Sequence, residues 1–203
     1  VGKLKLTKTE LRSEQNRFKQ LEKYLPTLQL KKAMLQAEVN EARIEIQECE
    51  ELYERQKKVV DSFALLMSEI TLSDVYLASR VDKVGRRYEN IAGVEVPYFE
   101  GISFHPFEYD LFSTEASMDG MVINLRKLLE ANVRIEIAEE KKQALENELR
   151  SVSIRVNLFE KVLIPRASQN IKKIKVFLAD QELAAVSRAK VAKEKILLRK
   201  KGY

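Results

Sequence analysis

Cysteine and histidine occur once each in this chain and tryptophan not at all, while glycine and proline together supply only ten of 203 residues. The single cysteine, Cys49, excludes an internal disulfide and fits a reducing compartment. One thiol and one imidazole, His105, assemble neither a nucleophile–base pair nor a zinc site of three or four clustered ligands. There is no G-x-x-x-x-G-K-[ST] and no G-x-G-x-x-G, so no phosphate cradle is encoded. No apolar run approaches the ~18–20 residues that span a bilayer; the longest is Phe63 to Met67. The first residues carry lysines without the apolar centre of a secretory signal, so a soluble chain is expected. No catalytic, cofactor-binding or metal-ligating residue is therefore expected. Scarce turn formers also argue against a sandwich, a barrel or a doubly wound sheet, since glycine plus proline reach about 5% where roughly 12% is usual.

Charge and periodicity are abundant. Charged residues make up 33% of the chain, apolar residues 45%, and the net charge is +5. Four of the six glycines and two of the four prolines fall between Gly85 and Gly120, which divides the chain into arm, middle and arm. Thr7 and Glu10 have capping-box spacing, flanked by Leu6 and Leu11 as a hydrophobic staple. From Leu11 a 3–4 alternation runs through Glu14, Phe18, Leu21, Leu25, Leu28, Lys32, Leu35, Val39, Ala42, Ile46, Cys49, Tyr53, Gln56, Val60 and Phe63. It continues through Met67, Ile70, Asp74 and Leu77, a sustained coiled-coil seam. Arg80 and Lys83 suit the helix end and Gly85 its termination. A second seam runs from Leu125 and Leu128 through Ile135, Ala138, Leu145, Leu149, Val152 and Val156 to Leu163, then shifts to Ile171, Ile174 and Leu178.

Two such stripes bury each other. The expected fold is all-α: a long antiparallel two-helix coiled-coil hairpin, with residues 1–84 and 114–203 as its arms. Residues 85–113 form a short middle segment. Val94, Val96, Ile102 and Phe104 alternate there around Pro97 to Gly101, a weak β-hairpin signal. Tyr98, Phe99, Phe104, Phe107, Tyr109 and Phe112 make the segment aromatic, either a cap on its own hairpin or a partner surface. Pro26 and Pro165, level in such a hairpin, are candidate bends.

The paired termini are expected to form a basic tip, with Arg12 and Arg17 on one arm and Lys190, Lys193, Arg199 and Lys200 on the other. Acidic stretches follow at Glu38 to Glu54 and Glu130 to Glu148. The tip reads as a solvated helix end, as a plug for a protein cavity or, less well, as a nucleic-acid contact, because aromatics are not interleaved with the lysines. Cys49 reads as a small core residue and His105 as a loop residue.

Three stretches resemble the D subunits of V/A-type rotary ATPases: YLPTLQLKKAMLQAEV at 24–39, NIAGVEVP at 90–97, and VNLFEKVLIPRASQNIKKIKVFLADQE at 156–182. The resemblance implies a noncatalytic central-stalk rotor, cytoplasmic and tied to the membrane only through its complex. It implies that Arg12, Arg17, Lys190, Lys193, Arg199 and Lys200 face the ring of catalytic A and B subunits. The F subunit would bind the side of the stalk. The far end, including Val94, Val96, Tyr98, Phe99 and Phe104, would meet the socket subunit (C/d type) above the membrane rotor. Pro26 and Pro165 would set the bend. The competing expectation is a free-standing basic coiled coil that binds nucleic acid or another helical partner.

Overall fold

The computed structural model describes residues 4–64, 69–106 and 118–201. Its elements are α1 (Lys8–Ala64), α2 (Glu69–Ala78), β1 (Val81–Ile91), β2 (Val94–Phe104), α3 (Met118–Leu158), a π-helical turn (Phe159–Leu163) and α4 (Ile164–Lys201). Long helices around a small antiparallel hairpin are the expected fold class. The chain divides into two compact units, one of Val1–Leu30 with Val152–Tyr203, the other of Lys31–Ser151.

Helix α1 starts where the Thr7 hydroxyl accepts the Glu10 amide at 3.2 Å, one half of the expected capping box. In the first unit Glu14, Leu21, Val152, Val156, Ala167 and Ile174 are buried. The Asn170 amide donates to Glu14 at 3.4 Å, and Lys8 meets Glu182 at 3.6 Å, so α1 and α4 run antiparallel. Pro26 lies inside α1 without interrupting it. Pro165 is handled differently. It lacks the N–H that would reach Lys161, and the turn before it widens so that the Ile164 amide donates to Phe159, five residues back.

In the second unit Leu35, Val39, Ala42 and Ile46 of α1 are buried, as are Ile137, Ala138 and Leu145 of α3. Ion pairs Lys31–Glu148 (2.7 Å), Arg43–Glu146 (2.7 Å) and Lys141–Glu45 (2.9 Å) cross between the helices. Val60, Val75, Ala78, Met118, Met121 and Val122 form a further core, with Phe63, Leu125 and Leu128 packed against it.

The first seam holds through Phe63, then changes register. Met67 lies outside the described residues, as does the side chain of Ile70, and Leu77 is exposed; Val75 and Ala78 are buried in its place. Lys83 and Gly85, expected at a helix end, instead lie inside β1, because the helix stops at Ala78. The expected aromatics Phe107, Tyr109 and Phe112 fall outside the described residues.

Strands β1 and β2 form a two-stranded antiparallel sheet closed at Ala92–Gly93, whose φ values are 50° and 85°. Both turn residues are thus left-handed, the geometry that matches strand twist in two-residue hairpins. The Asn90 side chain accepts the Gly93 amide at 2.9 Å. At the base the His105 amide donates to Arg80 at 2.9 Å.

Candidate interaction surfaces

The hairpin has almost no apolar core of its own. Val96 and Pro97 are its buried residues, and three cations of α3 lie over its aromatic rings. Arg126 lies 5.0 Å from the Phe104 ring centre, Arg134 4.9 Å from Phe99, and Lys141 4.2 Å from Tyr98. Strict alternation would send Phe99 to the face opposite Tyr98 and Phe104. A register shift between Gly85 and Arg86 leaves Glu100 without a partner in the ladder, and a bulge of this kind re-aims the side chains beside it. Arg86 adds an ion pair to Glu140 at 2.8 Å, and Arg126 donates from Nε at 3.0 Å to the Ala78 carbonyl, closing the end of α2.

Lys141 is the centre of this arrangement. Its side chain is only 7% exposed, and it joins three elements: α3, α1 through Glu45, and β2 through Tyr98. Burial works against its charge, but the bonds to Glu45 and Tyr98 outweigh that penalty and hold its pKa above the ordinary lysine value. Next to it, burial and then the Glu45 carboxylate push the Cys49 thiol up, with Arg134 opposing. Cys49 is half-buried on the seam, where a small core residue was expected.

Val94, Val96, Tyr98, Phe99 and Phe104 therefore lie along the helices. The hairpin turn is beside Lys31, and among the described residues the other end of this unit is formed by α2 and the start of α3. Exposed apolar residues there are Tyr76, Leu77 and Ile123.

The six basic residues of the expected tip are all exposed, but they are strung out. Arg12 and Arg17 lie on the stretch of α1 that pairs with α4. Lys190, Lys193, Arg199 and Lys200 lie past Glu182, the partner of Lys8, on a stretch of α4 exposed on every side. Leu183, Val186, Val191, Ile196, Leu197 and Leu198 are exposed with them.

Sequence reasoning missed Arg126, Arg134 and Lys141. The α3 stripe Arg126, Arg134, Ile137, Lys141 has helical spacing, but cations fill it, and an apolar period counts cations as surface. Among the described residues no group of three or more His, Cys, Asp or Glu could hold a metal ion, and no helix is long and apolar enough to cross a membrane.

Helices zipped by seams and cross-helix ion pairs, with a hairpin laid along them, define an all-α coiled-coil protein with a small β-hairpin. A family model described as the D subunit of ATP synthase matches residues 10–194. The V-type ATP synthase D subunit of Chlamydia abortus is 44% identical over 200 residues, covering 98% of this chain and 96% of its own. Its counterpart in Chlamydia caviae is equally similar, and that of Chlamydia pneumoniae is 42% identical over 97% of this chain and 95% of its own. The chain belongs to the ATP synthase D-subunit family, the central-stalk subunits of V-type rotary ATPases. Membership leaves the free-standing nucleic-acid binder without support.

Proposed function

We propose that the chain is the noncatalytic rotor of a V/A-type ATPase or ATP synthase, carrying torque between the catalytic A/B ring and the membrane rotor of a proton- or sodium-translocating machine. ATP chemistry belongs to the other subunits. The observation that carries this reading is the double fastening of the helices. Apolar seams resist separation, and the ion pairs Lys31–Glu148, Arg43–Glu146 and Lys141–Glu45 resist sliding. A lever that neither splits nor slips transmits a turn. Its unlike faces present a different surface to each catalytic pair, which couples rotation to nucleotide state by differential contact.

Arg12 and Arg17, with Lys190, Lys193, Arg199 and Lys200 of α4, face the catalytic ring. The F subunit takes the side of the stalk, and the end carrying Tyr76, Leu77 and Ile123 meets the socket subunit. Val94, Val96, Tyr98, Phe99 and Phe104 serve that end indirectly, by holding the hairpin on the helices. Pro26 and Pro165 set local bends. The complex sits on the cytoplasmic face, and the chain reaches the membrane only through it.

The test is reconstitution of the purified chain, with and without the F subunit, on the matching A/B ring, read by native mass spectrometry and ATPase rate. One copy per ring with an altered rate is expected. An intact ring that takes up none of the chain would overturn the reading.

A further inference from the structure

Within the second unit the hairpin is a separate piece lying on the helices. Of its two strands only Val96 and Pro97 are buried, both in β2, and no residue of β1 is. Its fastenings to α3 are polar: Arg126, Arg134 and Lys141 against three rings of β2, and Arg86 of β1 on Glu140, between side chains 36% and 51% exposed. The two surfaces do not close on each other. A cavity of about 430 Å³ lies between them, lined from the helices by Cys49, Arg134, Ile137 and Lys141 and from β2 by Pro97 and Phe99. The ladder, by contrast, is self-contained, pairing Val81 with Phe104 at one end and Ile91 with Val94 at the other. Its two connections to the rest of the chain meet at one base, where the Arg80 carbonyl accepts the His105 amide at 2.9 Å and His105 lies 3.6 Å from Asp82.

We infer that the hairpin is a releasable strap: it swings off α3 as one body about its base at Arg80 and His105, and uncovers Cys49 and the cationic stripe of α3. Release returns little apolar surface to water, unlike separation of the seams at Leu35 and Leu145. It also orphans no charge, because each cation under a ring has a second partner on the helices. Lys141 keeps Glu45, Arg134 keeps Glu130, and Arg126 keeps the Ala78 carbonyl. The exposed Arg86–Glu140 pair exchanges its partner for water at small cost. The backbone hydrogen bonds run between the strands and leave with them. Few apolar contacts and many solvated ones place this opening at the low-stability end of local motions. Any partner that takes the uncovered face of α3 or the underside of β2 favours the open form. The strap needs no such partner to exist, so it stands apart from the rotor reading.

Cys49, the one thiol of the chain, reports the opening. In the full-length chain, Arg86→Gln/Phe104→Leu removes two fastenings and leaves the lining of the Cys49 cavity untouched. The control, Arg87→Gln/Tyr88→Leu, alters an ion pair held within β1 and an exposed ring beside it. Labelling by a polyethylene-glycol maleimide too large for the cavity is timed for each, with the thiolate fraction measured by ultraviolet absorbance so that the rate reports access alone. Amide exchange around the Glu89–Val96 pair is followed in parallel. The fastening variant should label about fivefold or more faster than wild type with exchange at that pair unchanged, and the control should label within about twofold. Labelling of the fastening variant no faster than wild type, or an equal rise in the control, overturns the strap. So does labelling that rises only as the ladder loses protection, since the hairpin would then be unravelling where it lies.

Discussion

Lys141 shows how a single residue holds three elements together. Replacing it by methionine keeps most of the volume but removes the charged hydrogen bond to Glu45 and the cation over Tyr98. Glu45 is 42% exposed and regains water, so the cost should be about 2 kcal/mol, below that of a fully buried orphan. Urea unfolding of Lys141→Met checks this. The pH dependence follows from the raised pKa. A lysine whose folded pKa exceeds its unfolded value of about 10.4 contributes full stability below that pH and loses it as pH climbs through the folded value. The difference between wild type and Lys141→Met should therefore be constant from pH 7 to 10 and shrink only above, and a difference that shrank on acidification would contradict it. Cys49, held protonated by burial and Glu45, should react with iodoacetamide at pH 8 several-fold more slowly than a free thiol, and faster as pH rises further. Leu145, fully buried, should cost about 2–5 kcal/mol when cut to alanine, again by urea unfolding.

At the scale of elements, the hairpin turn carries a removable strain. Ala92 has a φ of 50°, a conformation that costs a non-glycine residue about 1 kcal/mol or more, whereas asparagine tolerates it. Ala92→Asn should therefore raise amide protection across the β1–β2 ladder several-fold, and unchanged exchange would place the limiting opening elsewhere. The two prolines illustrate local accommodation. Pro26 sits in an uninterrupted α-helix, while Pro165 is preceded by a wide π turn; nor are the two level as expected, since Asn170 meets Glu14 and Pro165 therefore lies nearer Lys19 than Pro26.

For the whole molecule, the rotor reading makes the exposed end of α4 the decisive segment. Deleting residues 188–203 removes Lys190, Lys193, Arg199 and Lys200 together with exposed Val191, Ile196, Leu197 and Leu198, none of which is buried in the fold. The truncated chain should keep its helical circular dichroism and thermal midpoint while the reconstituted enzyme loses coupling between hydrolysis and ion transport. Full coupling in the truncation would remove the torque role from this segment.

The seams were legible from the chain because burying an amphipathic helix demands apolar residues at helical spacing, and Leu35, Val39, Ala42, Ile46, Leu145 and Val152 meet that demand. The antiparallel pairing and the presence of a hairpin followed from the same rule and from sparse turn formers. The hairpin's position did not. It lies back along the helices because Arg126, Arg134 and Lys141 attract three aromatic rings, and such contacts depend on which charged face the tertiary structure brings beneath which ring. Apolar burial leaves a local, periodic trace in sequence, while a charge takes its role from partners that only the folded chain supplies.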